Sequence, residues 1–286
     1  MGKVVLIGAG NSIDRHLTLE AAEALRTVDC CFYTDDVVGC EKYCRRHGIV
    51  AEKLGSDAVL GGIRSAIHKQ WSARILDIAV SADVAWITQG SVSIICGVSR
   101  TLLEDAPGRG IRVSLLPGIS SVEAMLCALV VNFSAGVSVF EASRLIARKT
   151  SPSAAMHCLI LQLHRAETWL NPFGQPLRAE ALVGLRDLLL GSYPPSHPVC
   201  IITCRRESHE SDKLDWIKLS DLPQHASAVS PWASLFVPAL QEQSIDDEAL
   251  ALLTDYARLE ALYHMPISLL RDEFSSAELG KWPRKT

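Results

Sequence analysis

The chain has no C-x-x-C pair, no third glycine to complete the G-x-G turn near its start, no basic stripe and no apolar run long enough to cross a bilayer. Each absence removes a class of function. Nine cysteines, Cys30, Cys31, Cys40, Cys44, Cys96, Cys127, Cys158, Cys200 and Cys204, are scattered through apolar segments with no recognised ligand spacing. Cys200 and Cys204 share a strand-like run, VCIITC, and do not converge. They read as small buried hydrophobes of a reducing, cytoplasmic compartment, with no metal. Gly8-x-Gly10 follows a strand-like run, but position 13 is isoleucine, which disfavours a nicotinamide or flavin site. Scattered basic residues and a net charge of −4 argue against nucleic acid. The longest apolar candidate, Ser114–Phe133, is interrupted by Pro117, Gly118 and Glu123, which rules out a membrane span. The opening MGKVVLIGAG lacks the apolar length of a signal peptide.

What is present is a globular α/β chain. Its 286 residues are 48% hydrophobic and 21% charged, enough to build two compact domains. Lys3–Ile7, Asp29–Tyr33 and Val84–Thr88 are strand-like; Leu17–Val28, Glu41–His47, Gly62–Val80, Ser93–Asp105 and Ser121–Val131 are helix-like. Val137–Phe140 is a further strand, and the polar KTSPSAA at Lys149–Ala155 reads as a linker. Strands at Met156–Leu163, Val199–Cys204, Leu214–Leu219 and Ser234–Leu240, with a helix at Ala179–Leu190, predict a second α/β domain with a mixed sheet. Ile245, Ala249, Leu252, Tyr256 and Leu259 form one stripe of a long helix, Ile245–Leu262. The domains are thus expected at 1–148 and 149–243, with a helix and tail at 244–286.

Two corners stand out. In WITQGSVSII (Trp86–Ile95) and SLLPGIS (Ser114–Ser120) a strand-like run ends in a small-residue turn and enters a helix. Ser120-x-x-Glu123 has the form of a capping box, with Val122, Met125, Leu126, Leu129 and Val130 as one apolar face behind it. Paired turns of this kind meet at the carboxyl edge of a parallel sheet, where open α/β sheets take their ligands.

In order, the strings VVLIGAG…HLTLEA, LLPGISSVEAML, FEASRLIARK, HCLILQL, SHPVCIIT and ASLFVPA resemble the tetrapyrrole methylase superfamily, and within it the borosin-type peptide backbone α-N-methyltransferases. The resemblance runs over about residues 3–240 and implies a two-domain tetrapyrrole methylase-like fold binding S-adenosylmethionine between its domains. It carries Gln89, Gly90, Ser91, Ile94 and Ser120 over as cofactor contacts from the first domain, and Gln162, Cys204, Ala233 and Ser234 from the second. It also implies a homodimer. The chain departs from the family where GAGNSIDRH lacks a proline–glycine–aspartate turn, which disfavours a porphyrinoid substrate. Gln89 and Ser91 stand for a tyrosine and a histidine in the borosin corner. Of the borosin tyrosine–arginine–tyrosine set, GSDAVLGGIRSAIHKQW offers Arg64 for the arginine and His68 for the second tyrosine, and nothing for the first.

Methyl transfer from a sulfonium is an in-line displacement in which positioning dominates. A backbone amide nitrogen is barely nucleophilic while its lone pair is delocalised into the carbonyl. Acting on it requires a base for the N–H and a donor for the oxygen that gains charge. Arg64 fits the donor; His68, one helical turn on and titrating near neutrality, fits the base. The alternative for both is a solvated helix face. His157 and His164, flanking a strand, read as structural, Trp71 and Trp86 as core or cleft lining, and Glu141 as a cap. The final segment has no Val/Ile-rich run, so a precursor peptide on another chain is the expected acceptor. A small natural product acceptor, or a scaffold without catalysis, are the competing readings.

Overall fold

A computed structural model describes residues 2–55, 61–131, 133, 136–172, 175–207, 209–240 and 246–263. The Lys3–Gly8 run forms β1, buried from its second residue onward. After it come a short helix α1 (Ile13–His16) and α2 (Leu19–Leu25), whose Thr18 cap accepts from the Ala21 N–H. Then follow β2 (Cys30–Tyr33), α3 (Cys40–Arg46), the short strand β3 (Ala51–Lys53), α4 (Arg64–Ala79), β4 (Val84–Thr88), α5 (Gly97–Asp105), β5 (Arg112–Leu116) and α6 (Ser121–Leu129). All five strands pair in parallel, in the order β3-β2-β4-β1-β5. A parallel sheet needs both faces covered. Val4, Leu6, Phe32 and Trp86 pack with Ile75, Leu76 and Leu102 of α4 and α5. Val5, Ile7, Cys31 and Ile87 pack with Leu25 and Cys44 of α2 and α3 on the other face.

The second sheet comprises β6 (Val137–Glu141), β7 (His157–Leu161), β8 (Pro198–Thr203), β9 (Lys213–Lys218) and β10 (Ser234–Val237), ordered β6-β7-β10-β8-β9. It is mixed: β6 and β7 are parallel and the other neighbours antiparallel. Helix α7 (Ala142–Arg148) follows β6 directly, and α8 (Val183–Leu190) covers one face through Leu185 and Leu189. Met125 and Leu126 of α6 pack on the other face against Leu159, Leu161, Ile202 and Phe236. The chain therefore passes from the first sheet to the second between α6 and β6, ahead of the KTSPSAA segment. Residues Met1–Gln241 form one compact unit and Glu242–Thr286 a second.

Several expected boundaries shift for local reasons. Val130 does not extend the apolar face of α6. It is the C-cap, left-handed at φ 52°, and 90% exposed. The helix expected from Ser93 starts at Gly97, because Ile95 is itself left-handed at φ 53°. β7 stops at Leu161, since Gln162 (φ 58°) turns the chain out of the sheet. The helix expected over Ile245–Leu262 is two, α9 (Asp247–Leu253) and α10 (Tyr256–Tyr263). Thr254 Oγ1 bonds back to the Leu250 carbonyl at 2.8 Å, and Asp255 accepts from the Ala257 N–H at 2.9 Å, so a stop and a new start interrupt the stripe. Ile245 and the segment beyond Tyr263 lie outside the described residues. Cys31, Cys40, Cys44, Cys158 and Cys200 are buried free thiols, whereas Cys127 is exposed.

Candidate functional site

Three strand ends of the first sheet converge without side chains between them. A Cβ on Gly118 sits 2.3 Å from the Gly8 carbonyl oxygen and 2.7 Å from that of Gly90, and a Cβ on Gly8 sits 2.6 Å from the Gly118 nitrogen. Gly10 and Gly90 exchange backbone hydrogen bonds of 3.1 and 2.9 Å. Gly90 also requires φ +68°, a conformation L side chains avoid. The result is a bare backbone floor at the carboxyl ends of β1, β4 and β5.

Above this floor lies a cavity of about 760 Å³, lined from both sheets. That is the size of a small-molecule site. Its walls come from strand ends: Asp36 after β2, Thr88 and Gln89 at the end of β4, Glu141 at the end of β6, Gln162 and Arg165 after β7, Cys204 and Arg206 after β8. Ala233 precedes and Ser234 begins β10, which runs antiparallel to β7 and β8 and so starts at the same edge. Of the expected cofactor contacts, Gln89, Gly90, Ile94, Gln162, Cys204, Ala233 and Ser234 line this cavity together with Arg64 and His68. Ser91 and Ser120 are not among the described lining residues. The Ser91 hydroxyl is 3.0 Å from that of Ser93, and Ser120 caps α6 by accepting from the Val122 N–H at 3.1 Å.

Arg64 opens α4, and the chain before it is pinned across the cleft. Gly61 N–H donates to the Asn171 carbonyl at 2.9 Å, Asn171 N–H to Gly62 at 2.9 Å, and Arg64 N–H to Trp169 at 3.2 Å. The guanidinium then donates to the Thr168 carbonyl at 2.8 Å, the Trp169 carbonyl at 3.3 Å, Gln162 Oε1 at 3.2 Å and Ser143 Oγ at 3.3 Å. Glu141 lies 3.7 Å away, the two side chains being 16% and 6% exposed. Glu141 is fully engaged: it accepts from the Ser143 hydroxyl at 2.7 and 2.8 Å and from the Arg144 N–H at 2.8 Å, capping α7. Burial, then the neighbouring Arg165, lower the Arg64 pKa, and Glu141 opposes the shift. Arg64 is held inside the cleft and is not a solvated helix residue.

His68 lies one turn on. Its ring packs so closely on the start of α5 that a Cβ on Gly97 falls 2.2 Å from Nδ1, and it faces Trp71 with centroids 6.0 Å apart. Burial, followed by the charges of Arg64 and Arg165, pushes its pKa down to about 4. The expectation that it titrates near neutrality is thereby corrected: the imidazole is neutral across the physiological range.

Arg165, Arg206, Asp36 and Trp232 also line the cavity and went unnoticed in the sequence. Arg206 donates to the Asp36 carbonyl and lies 3.7 Å over the Trp232 ring. The signal that finds them is position: each of the three charged residues sits three or four residues past a strand's carboxyl end. His157 and His164 are structural, the first accepting from the Ala239 N–H at 3.1 Å and the second bonded to the Gln175 carbonyl at 2.7 Å. Arg144 lies at the cleft wall.

Residues 3–202 match the model of the family described as Tetrapyrrole (Corrin/Porphyrin) Methylases, and the chain belongs to that family. Its class is therefore the S-adenosylmethionine-dependent methyltransferases. A curated relative, a methyltransferase/ribosomally synthesized type II borosin cyclic peptide precursor of Phlebiopsis gigantea, is 25% identical over 244 residues. The match covers 84% of this chain, which spans 43% of that relative's length. Among solved structures, uroporphyrin-III-C-methyltransferase from Thermus thermophilus superposes with a TM-score of 0.59 at 21% identity, over 83% of this chain and 92% of that one. A uroporphyrin-III C-methyltransferase from Thermus thermophilus complexed with S-adenyl homocysteine gives 0.56 at 18%, over 83% and 97%. A diphthine synthase gives 0.60 at 15%, over 94% and 99%. The bare glycine floor and the size of the cavity fit a nucleoside-bearing donor approached closely by backbone.

Proposed function

We propose that this chain transfers methyl groups from S-adenosylmethionine to backbone amide nitrogens of a precursor peptide. The observation that carries the reading is a fixed, buried arginine beside a neutral imidazole on one face of α4, both directed into the cleft. Gln89, Gly90, Ile94, Gln162, Cys204, Ala233 and Ser234 would hold the donor, which would supply an electrophilic methyl group with a neutral sulfide as leaving group; Ser91 and Ser120 shape the turns behind them.

Arg64 donates to the amide oxygen as charge develops there, and its anchoring on Thr168, Trp169 and Glu141 means little reorganisation accompanies the reaction. His68, kept unprotonated by burial and two guanidiniums, accepts the amide proton as the nitrogen's lone pair attacks the methyl carbon, and later returns it to solvent. Its low pKa makes it a weak base, so the oxygen's stabilisation by Arg64 carries most of the activation. The enzyme works in the cytoplasm as a homodimer; sedimentation at micromolar concentration checks the oligomer.

Incubating the protein with labelled S-adenosylmethionine and candidate precursor peptides, followed by intact-mass and fragment analysis, tests the function. Methyl groups on backbone nitrogens support it. Label transferred only to a small-molecule acceptor, or to no acceptor at all, refutes it.

A further inference from the structure

The cleft carries more positive charge than its own residues neutralise. Five arginines line it, Arg64, Arg100, Arg144, Arg165 and Arg206, against two carboxylates, Asp36 and Glu141. Three of the five are engaged within the protein: Arg64 on Glu141 and its four hydrogen-bond acceptors, Arg100 on Glu104 at 2.7 Å, and Arg206 on the Asp36 carbonyl and the Trp232 ring. The side chains of Arg165 and Arg144 make no hydrogen bond or ion pair among the described residues.

We propose that the acceptor peptide is acidic beside its methylated residue and docks that carboxylate on Arg165, with Arg144 as a second, outer contact. The inference rests on the peptide-methylating reading above and names the chemistry of the peptide. Arg165 is half-buried on a one-turn pedestal, its own N–H donating to the Gln162 carbonyl at 2.8 Å. Asp36 and Glu141 lend it field, but neither forms an ion pair with it. Guanidinium stays charged at any physiological pH, so its burial without a partner is unfavourable until an anion arrives. The donor's reactive end brings a sulfonium, which adds to the positive charge. A carboxylate on the acceptor meets the need, and the planar fork of arginine binds it through two parallel hydrogen bonds. The donor's own carboxylate is the rival source of negative charge, and the experiment separates the two.

Two synthetic valine-rich peptides, one with a glutamate on each side of the core and one with glutamine there, are titrated into the protein saturated with S-adenosylhomocysteine. The glutamate form is expected to bind about tenfold more tightly, a difference of about 1.4 kcal/mol. Arg165→Gln removes most of that preference and leaves affinity for S-adenosylhomocysteine unchanged, which also shows that the variant is folded. Arg144→Gln removes a smaller, more salt-sensitive part. Equal binding of the two peptides overturns the proposal, as does an Arg165→Gln variant that loses the cofactor product and keeps the peptide preference. If S-adenosylhomocysteine binds and neither peptide does, the peptide reading itself falls, and this proposal with it.

Discussion

Replacing Arg64 with methionine tests whether the cleft is organised as described. The substitution keeps an unbranched stem of similar reach and deletes the charge and its hydrogen bonds to Thr168, Trp169, Gln162 and Ser143. Breaking a buried ion pair by removing one partner costs about 3–5 kcal/mol, because the other charge is left uncompensated. Here Glu141 keeps the Ser143 hydroxyl and the Arg144 N–H, and Trp169 keeps the Arg64 backbone N–H, so the lower end applies. The expected loss is about 3 kcal/mol, equivalent to a Tm fall of about 6–12 °C for a unit of this size.

Calorimetry and urea unfolding of Arg64→Met, Glu141→Gln and the double variant measure it. The double variant is expected to lose less than the two single losses added together, since the pair's attraction is counted twice in the sum. Methyl transfer by Arg64→Lys, the milder change, falls on the order of 10²-fold while affinity for S-adenosylhomocysteine holds, because a lysine cannot reproduce the fork of donors. A stability loss below about 0.5 kcal/mol, the range of ordinary surface substitutions, together with unchanged methyl transfer, refutes the placement.

S-adenosylhomocysteine at a hundredfold excess over its Kd should stabilise the fold by about 2.7 kcal/mol, read as a thermal shift that NAD does not produce; no shift, or a shift with NAD, contradicts the cofactor assignment. His68 has a folded pKa depressed from 6.5 to about 4, so the unfolded chain binds its proton first and stability falls as pH drops from 6.5 towards 4. His68→Gln should flatten that part of the stability–pH curve, and an unchanged curve means that the ring is solvated. Gly118→Ala drives a Cβ into the Gly8 and Gly90 carbonyls, so it should lower both Tm and cofactor affinity, while Gly108→Ala, with nothing within 4 Å of its Cβ, should lower neither.

Much of the first sheet was legible because β1, β2 and β4 are short apolar runs closed by glycine or a polar turn and are buried on both faces. β4 falls on the expected residues, and β1, β2 and α3 within one or two. β3 was not legible: three residues, Ala51–Lys53, show no period, and their pairing with β2 alone makes them a strand. α7 was missed for a related reason. It is only about two turns long, and although Glu141 reads as a cap, the run behind it is too short to mark a helix until the Glu141 carboxylate is seen to reach the Arg144 N–H. The split of the last helix turns on side-chain bonds of Thr254 and Asp255, which compete with helix hydrogen bonding and leave the hydrophobic stripe intact in the sequence.

The site was legible to the extent that it is made of backbone. Glycines at strand ends announce themselves, because a close approach tolerates no side chain there. The arginines do not, because a charged residue in a loop has the same appearance in sequence whether it points to water or into a cleft. Arg148 and Arg165 illustrate the difference. The first ends α7 exposed, where a cation suits the helix's negative end. The second is carried by a left-handed turn at Gln162, which bends the chain out of β7 and over the cavity mouth. The same turn sets Gln162 itself against Arg64. A single backbone conformation at one non-glycine residue therefore positions the anchor of the proposed catalytic arginine and the free arginine offered to the acceptor. Restoring ordinary strand geometry at Gln162 is the change that would undo both.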